Sequence, residues 1–434
     1  MKKIKNSEFV HCHTHTEYSA FDGLASVDDM VTTARKMGFP ALAITDHGNI
    51  GGIIPFINAC TASKDKDGND IIEPTIKPLV GIECYMSRDA SAHSKVEQPE
   101  GRRGNYHLIL IAKNFKGYQN LCRLSHKSWT SGFYMKPRID FELLSEHSEG
   151  LICSTACLAG LVNAELIRDR YDAAKMFAGA FKDIFGEDFF MEVMYHGISL
   201  QKEIIPELFS IASDLDVPLI ATNDIHYLRR DQASSHELFM CMSTNRCIKA
   251  KNRIRFPFPE FYLKSAEEML SMFSSAPWLL QNTLSLAERV DFVDIQKNLF
   301  GGMRLPVFDL PEGETSLSHL RKLALDGAKR LGWDKSEKHM KALKIELDDI
   351  EIALVNNNYD FATYFLMVED ITRFARESGI LGGPGRGSGY GSLLLRCLGV
   401  TYGPDPLDFG LLWQRFLGFD TFRFILEKDF GIND

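Results

Sequence analysis

The sequence predicts an α/β domain over residues 1–270 and a second domain over residues 271–434. Three observations carry that expectation. Short, unbroken apolar runs alternate with longer helical patterns through the first part. Almost every run has a His, Asp, Glu or Cys at or near its end. Beyond residue 265 the runs give way to helical patterns and a Pro/Gly-marked stretch.

The apolar runs are FPALAIT (39–45), IKPLVGIE (76–83), YHLILIA (106–112), GLICST (150–155) and VPLIAT (217–222). They are continuous rather than alternating, as in strands of a parallel sheet buried on both faces. SVDDMVTTARKMG (26–38) reads as a helix, with Ser26 as its N-cap and Gly38 just past its end. LQKEIIPELFSIASDLD (200–216) reads as another. Strand–helix repetition of this kind builds an α/β barrel or a doubly wound sheet. SAEEMLSMF (265–273) and PWLLQNTLSLAERV (277–290) are helical, a Pro/Gly-marked stretch covers 298–315, and two helices are expected near 316–331 and 335–356.

Composition narrows the class. The 434 residues are 45% hydrophobic and 25% charged, which excludes a disordered or collagen-like chain. No run approaches the ~20 apolar residues of a membrane span. The start, MKKIKNSEFVHCH, is basic but has no apolar core, so no secretory signal is expected. Nine cysteines without a CxxC fit free thiols in a reducing cytoplasm. The net charge of −9 argues against a protein held to nucleic acid by bulk charge. Bound divalent cations or local basic patches can still invert the field.

The strongest chemical signal is His11-Cys12-His13-Thr14-His15. On a strand, residues i and i+2 share a face, so these imidazoles can point together and seat a metal. Asp46-His47 follows ALAIT, Glu83 follows KPLVGI, and His107 opens HLILIA. Cys157 lies just after GLICSTA, and Asp224-Ile225-His226 follows PLIATN. In a barrel the C-terminal strand ends share one face, so these ligand-type residues would converge there.

The segments HCHTHTEYSAFDG, TDHGN, GIECY, YHLILIAKN, STACLAG and NDIHYL resemble the PHP domain (polymerase and histidinol phosphatase). They resemble in particular the PHP domain of bacterial DNA polymerase III alpha subunits. GYQNLCRLSHKSW (117–129), GFYMKPRID (132–140) and FYLKSAEEM (261–269) share that resemblance. It implies a distorted (βα)7 barrel with a trinuclear metal site. Its nine ligands would be His13, His15, Asp22, His47, Glu83, His107, Cys157, Asp224 and His226. His11 stays outside that set, and Asp46 is an outer partner. Mixed His, carboxylate and thiolate ligands suit Zn²⁺, Mn²⁺ or Fe²⁺ better than Mg²⁺. The implied reaction is phosphodiester hydrolysis, as 3′–5′ exonuclease proofreading, with Asp22, Glu83 and His107 as catalytic groups. A phosphatase acting on a small phosphate ester and a metal-stabilised, non-catalytic scaffold are the alternatives.

The second strong segment is LGGPGRGSGYGS (381–392), before the helical pattern SLLLRCLGV. Glycines let a backbone approach phosphate closely, and the following helix offers its first NH groups. Residues 358–417 resemble the palm of C-family DNA polymerases, which implies a partial, smaller α+β palm of the polymerase-beta-like nucleotidyltransferase type. There Gly385, Arg386, Gly387, Ser388 and Arg415 would hold the triphosphate of an incoming dNTP. The resemblance departs at GFDTFRFILEKDFGIND: Asp420, Asp429 and Asp434 include no pair two residues apart, as the Mg²⁺-binding aspartates of the family would be. Polymerisation is therefore expected to need a second polypeptide carrying such a segment, besides primer-template DNA and other replisome subunits. Arg246, Lys249, Lys251, Arg253 and Arg255 form a candidate DNA-facing patch. His93, His126, His147, His196, His236, His319 and His339 match no ligand position.

Overall fold

The computed structural model describes residues 4–64, 75–88, 105–301, 305–357, 359–385 and 387–417. The chain falls into two compact units, Met1–Gly301 and Gly302–Asp434. Sequence texture changes near residue 270, but the helices Trp278–Glu288 and Phe292–Phe300 still pack on the first unit. Leu279, Leu280, Leu286 and Ile295 are buried in its core.

Among the described residues seven strands form the first unit's sheet: β1 (Ala41–Ile44), β2 (Lys77–Met86), β3 (Tyr106–Ala112), β4 (Arg138–Ile139), β5 (Leu151–Ser154), β6 (Phe189–Val193) and β7 (Leu219–Ala221). Their order is β1-β2-β3-β5-β6-β7, with β4 paired to β2. The five expected runs all become strands, and their residues are nearly all buried. The sheet is not wholly parallel, because β3 runs antiparallel to both β2 and β5. A continuous apolar run reports burial on both faces, not strand direction. β4 and β6 have no counterpart among the expected runs.

The N-terminal segment joins the two ends of this sheet. His11 bridges Leu42 beside β1, and Thr14 bridges Ile225 just beyond β7. Around them Ala43 NH donates to the His11 carbonyl, and His15 NH donates to the Ile225 carbonyl at 2.8 Å. The bridges are isolated, so the segment is extended but not a continuous strand. Helices cover the outside. Val27–Met37 begins at Ser26, whose hydroxyl accepts from Asp29 NH, and ends at Gly38 with φ 81°.

The second unit is helical where it is described. The helices Ser316–Arg330, Glu337–Asn357 and Phe361–Glu377 surround the short helix Leu393–Cys397. No strand of the expected α+β palm lies among the described residues. No helix among them is long and apolar enough to cross a membrane.

Candidate metal centre

The expected residues converge, but not all from C-terminal strand ends: β3 is reversed, so His107 reaches the same face from its start, and Glu83 lies within β2. His13 and His15 come from the joining segment, Glu83 from β2, His107 from β3, Cys157 from the turn after β5, and Asp224 and His226 from the segment after β7. Asp22 sits in a turn closed by Asp22 NH and Gly23 NH on the Ser19 carbonyl. A Cβ at Gly23 would lie 1.9 Å from the Thr16 carbonyl oxygen, so only glycine closes this turn. Asp224 and Ala156, each in or beside a ligand position, have φ of 47° and 57°. Left-handed backbone at non-glycine residues costs roughly 1–3 kcal/mol and gathers at functional sites.

Three donor groups overlap: His15, His47 and His226; His13, His15 and Glu83; His47, Glu83 and His107. In each, the donor atoms lie within 4.8 Å of one another. Asp224 Oδ1 is 3.2 Å from both His13 Nε2 and His15 Nε2. Asp22 Oδ2 is 3.4 Å from His47 Nε2, and Cys157 Sγ is 3.5 Å from His107 Nδ1. All nine ligand positions expected from the sequence therefore border one centre. A cleft of about 250 Å³ opens onto it, lined by Asp22, His47, His107, Cys157, Asp224 and His226 among others.

The donor atoms face inward for a reason. His13 Nδ1–H donates to Glu192 at 2.9 Å. His15 Nδ1–H donates to the Ser19 hydroxyl at 3.0 Å, and His226 Nδ1–H donates to the Asp224 carbonyl at 2.9 Å. Each ring thereby keeps its Nε2 lone pair for the centre. Ser19 in turn donates to Asp46 at 2.7 Å and accepts from His47 NH at 3.1 Å. Asp46 thus acts on His15 through Ser19, as an outer partner should.

The charges fit a cation. Burial raises a carboxyl pKa, yet His107 and His47 hold Glu83 well below the usual range. Asp22 and Asp224 are also held down against burial, chiefly by His47 and by His13 respectively. His15 is pushed down to about 3 by burial and by the His47 and His226 rings. Burial, then Asp224 and Glu83, push the Cys157 thiol well up. Burial would also discharge His13 and His47, but Glu192 and Asp224 hold the first, and Glu83 and Asp22 the second, well above the normal value. Protons there offset clustered anions, as metal ions would. Neither Glu83 oxygen accepts a hydrogen bond of ordinary geometry, and neither does buried Asp22 Oδ1. The residues present fit divalent cations.

Two family models match stretches of this chain. The PHP domain model matches residues 11–196, and the model described as the bacterial DNA polymerase III alpha NTPase domain matches residues 318–423. The DNA polymerase III subunit alpha of Borreliella burgdorferi is 38% identical over 412 residues, 95% of this chain and 34% of that one. The Thermus aquaticus subunit is 34% identical, covering 94% of this chain and 37% of its own length. The chain belongs to the bacterial DNA polymerase III alpha family. It corresponds to the N-terminal part of such a subunit and spans about a third of the length of the curated relatives it matches. Among solved structures, a putative metal-dependent phosphoesterase from Bifidobacterium adolescentis aligns at TM-score 0.26 and 14% identity, over 50% of this chain and 87% of that one.

In this alpha-family chain three residues besides Ser19, also outside the expected ligand set, support the centre. Glu192, on β6, accepts from His13, from the Ser154 and Thr222 hydroxyls at 2.5 and 2.6 Å, and from Ala156 NH at 3.2 Å. His236 Nε2 lies 2.7 Å from the Asp22 carbonyl and fixes its turn. His196 lines the cleft, bonded to Gln201 and to the Asn223 carbonyl. His11 departs from the i, i+2 expectation: its Nε2 meets the Lys264 carbonyl at 2.8 Å, and burial lowers its pKa to about 4. The backbone alternation is broken before His13, so His11 packs between Phe9 and Phe39 instead.

In the alpha-family NTPase segment, Gly385 and Gly387 have φ of 141° and 53°, which glycine alone adopts easily. Arg386 lies outside the described residues, as do Asp420, Asp429 and Asp434. Ser388 and Arg415 are exposed. Arg415 ends the turn Trp413–Arg415, whose neighbours Leu412 and Phe416 pack against the turn Gly387–Gly391. One expectation is overturned. The NH groups of Leu393 and Leu394 both donate to Glu346 at 2.8 Å, and Leu395 NH donates to Ser392. The helix start expected to face a phosphate already holds a carboxylate. In the basic segment Arg246, Lys249, Lys251 and Arg255 are exposed. Arg253 is instead enclosed, paired with Glu237 and bonded to the Ile248 carbonyl at 2.9 Å.

Proposed function

We propose that the first unit hydrolyses phosphodiester bonds of DNA, as a 3′–5′ exonuclease, at a centre of three divalent ions held by the nine ligands. Zn²⁺, Mn²⁺ or Fe²⁺ suits the donor set. The observation that carries the reading is the overlap of three donor groups, two of them sharing Glu83, at the mouth of an open cleft. Bound ions would lower the pKa of a water and clamp the phosphate. Glu192 and Ser19 keep the imidazole lone pairs aimed at the centre. Asp22 Oδ1, which accepts no hydrogen bond, is the acceptor for the attacking water's proton. Glu83 holds His47 and His107 together, and His107 borders the cleft within reach of a bound phosphodiester.

Gly385, Arg386, Gly387, Ser388 and Arg415 are proposed to hold a dNTP triphosphate. With the helix start occupied by Glu346, the grip comes from loop backbone and the two arginines. Polymerisation, with Mg²⁺, is proposed to require carboxylates from a further polypeptide segment.

The test is degradation of a 3′-mismatched primer with Mn²⁺ or Zn²⁺, comparing wild type with the double variant His13→Ala/Asp224→Ala. Metal-dependent shortening that the variant abolishes supports the nuclease. Metal retained by wild type without cleavage overturns it in favour of a scaffold.

A further inference from the structure

Beside the metal centre lies a patch that the hydrolytic chemistry does not use. Phe21, Trp129, Phe133 and Met135 are 46–57% exposed. Large apolar side chains exposed together mark an interaction site. The patch is continuous. Trp129 and Phe133 stack with centroids 5.5 Å apart. Trp129 Nε1–H donates to the Gly48 carbonyl at 2.7 Å, and Gly48 follows the ligand His47. On the other side of Gly48 lie Pro137 and the Tyr85 ring, close enough that a Cβ would meet them at 2.7 and 3.0 Å. The Lys136 ammonium sits 4.8 Å from the centroids of both Tyr85 and Phe21, and Phe21 precedes the ligand Asp22. A strained turn presents this lysine, with Met135 at φ 64°.

The patch runs directly into the centre. The Tyr85 ring lies 6.0 Å from His47 and 5.3 Å from His107, both of which line the cleft. Aromatic faces with a cation among them are the elements that bind single-stranded nucleic acid, where bases stack on rings and the cation meets the backbone. A purely apolar partner would leave the Lys136 ammonium without a counter-charge. A polyanion with planar bases matches both.

We propose that Phe21, Trp129 and Phe133, with Lys136, form a shelf on which unpaired bases of a single strand stack while its phosphodiester lies at the metal centre. The shelf gives the site its substrate class: an unpaired strand end rather than a duplex or a small phosphate ester. The assignment rests on the phosphodiesterase reading, but its test does not depend on cleavage.

Trp129 is itself the probe. Titration of the full chain with a short oligothymidylate, without added metal, should quench tryptophan fluorescence, and Trp129→Phe should remove that quench. Stacking contributes about 1–3 kcal/mol per base, so Phe21→Ala and Phe133→Ala should each weaken binding about 5- to 150-fold. An abasic oligonucleotide of the same length should bind weakly to wild type and be indifferent to either substitution. Unchanged metal content in both variants would confirm that Asp22 and His47 are undisturbed. Equal affinity for normal and abasic strands, or no quench, would overturn the shelf even if the primer is degraded. A quench with base-dependent affinity, but no degradation, would sustain the shelf and sink the nuclease.

Discussion

The barrel mouth and the glycine-rich loop are both proposed to meet phosphate, and they are built in opposite ways. At the mouth several inward donors are fixed from behind: His13 by Glu192, His15 and His47 by Ser19, and Asp22 by His236. The ligands are buried or nearly so and come from separate strand ends. Leu381 in the glycine-rich segment is 98% exposed, and the segment through Pro384 has little packed against it. Its downstream end is anchored through Ser392 to Glu346, and upstream the Tyr402 NH and hydroxyl donate to the Pro384 and Gly382 carbonyls. The first is preorganised for small, highly charged ions. The second is held at a few points and keeps an exposed, glycine-rich stretch toward solvent.

Substitutions can break that contrast, beginning at the mouth. Glu83→Gln removes the carboxylate shared by two donor groups. Metal analysis after dialysis should find the centre depleted and hydrolysis gone, a loss beyond the roughly 100-fold that an outer partner costs. Glu192→Gln should leave the ligand list intact and weaken metal affinity about 10- to 100-fold, because one amide oxygen replaces the two acceptors shared by His13, Ser154, Thr222 and Ala156. Full affinity in that variant would mean the mouth is less constrained than its hydrogen bonds imply.

The anchor of the loop gives a pH signature. Burial raises the Glu346 pKa to about 7 against the opposing NH groups of Leu394 and Leu393. The folded chain therefore binds this proton more tightly than the unfolded chain. The resulting stability is complete below the ordinary glutamate value and is lost as pH rises through about 7. The span is on the order of 3 kcal/mol. Urea midpoints at about pH 5 and about pH 8 should converge in Glu346→Gln, which carries no titrating proton. If wild type is equally stable at both, the carboxylate is held ionised by the helix start. The smallest effect is expected in the basic segment. Replacing Arg246, Lys249, Lys251 and Arg255 with Ala should reduce the salt dependence of DNA binding by about one unit of slope per lost phosphate contact. Arg253→Ala should lower thermal stability instead, since its pairing is internal.

Several candidate ligands were legible because they sit where an apolar run starts or stops: His47 and Glu83 after ALAIT and KPLVGI, and His107 at the opening of HLILIA. Glu192 escaped for the same reason. Its strand, Phe189–Val193, follows Gly186–Asp188 directly, and its aromatic start continues the texture of the preceding helix. The acid also lies inside the strand rather than at its end. The reversal of β3 is invisible because buried strands have the same composition in either direction. His11 was legible as one of three evenly spaced histidines, and the family resemblance already placed it outside the ligand set. Its outward turn is a property of the backbone between isolated bridges. Glu346 is far in sequence from the loop it anchors, and nothing local to either segment announces the pair.

A single hydroxyl, that of Ser19, touches the His15 ring, the backbone beneath His47 and the Asp46 carboxylate. His15 and His47 meet in one donor group and each belongs to a second. Two overlapping donor groups therefore share a common hinge, and the proposed ions would share it too. Filling one position fixes a ring that the next needs, so occupancy should rise as a cooperative curve rather than as independent steps. Damage at this serine would then cost the whole cluster rather than one ion.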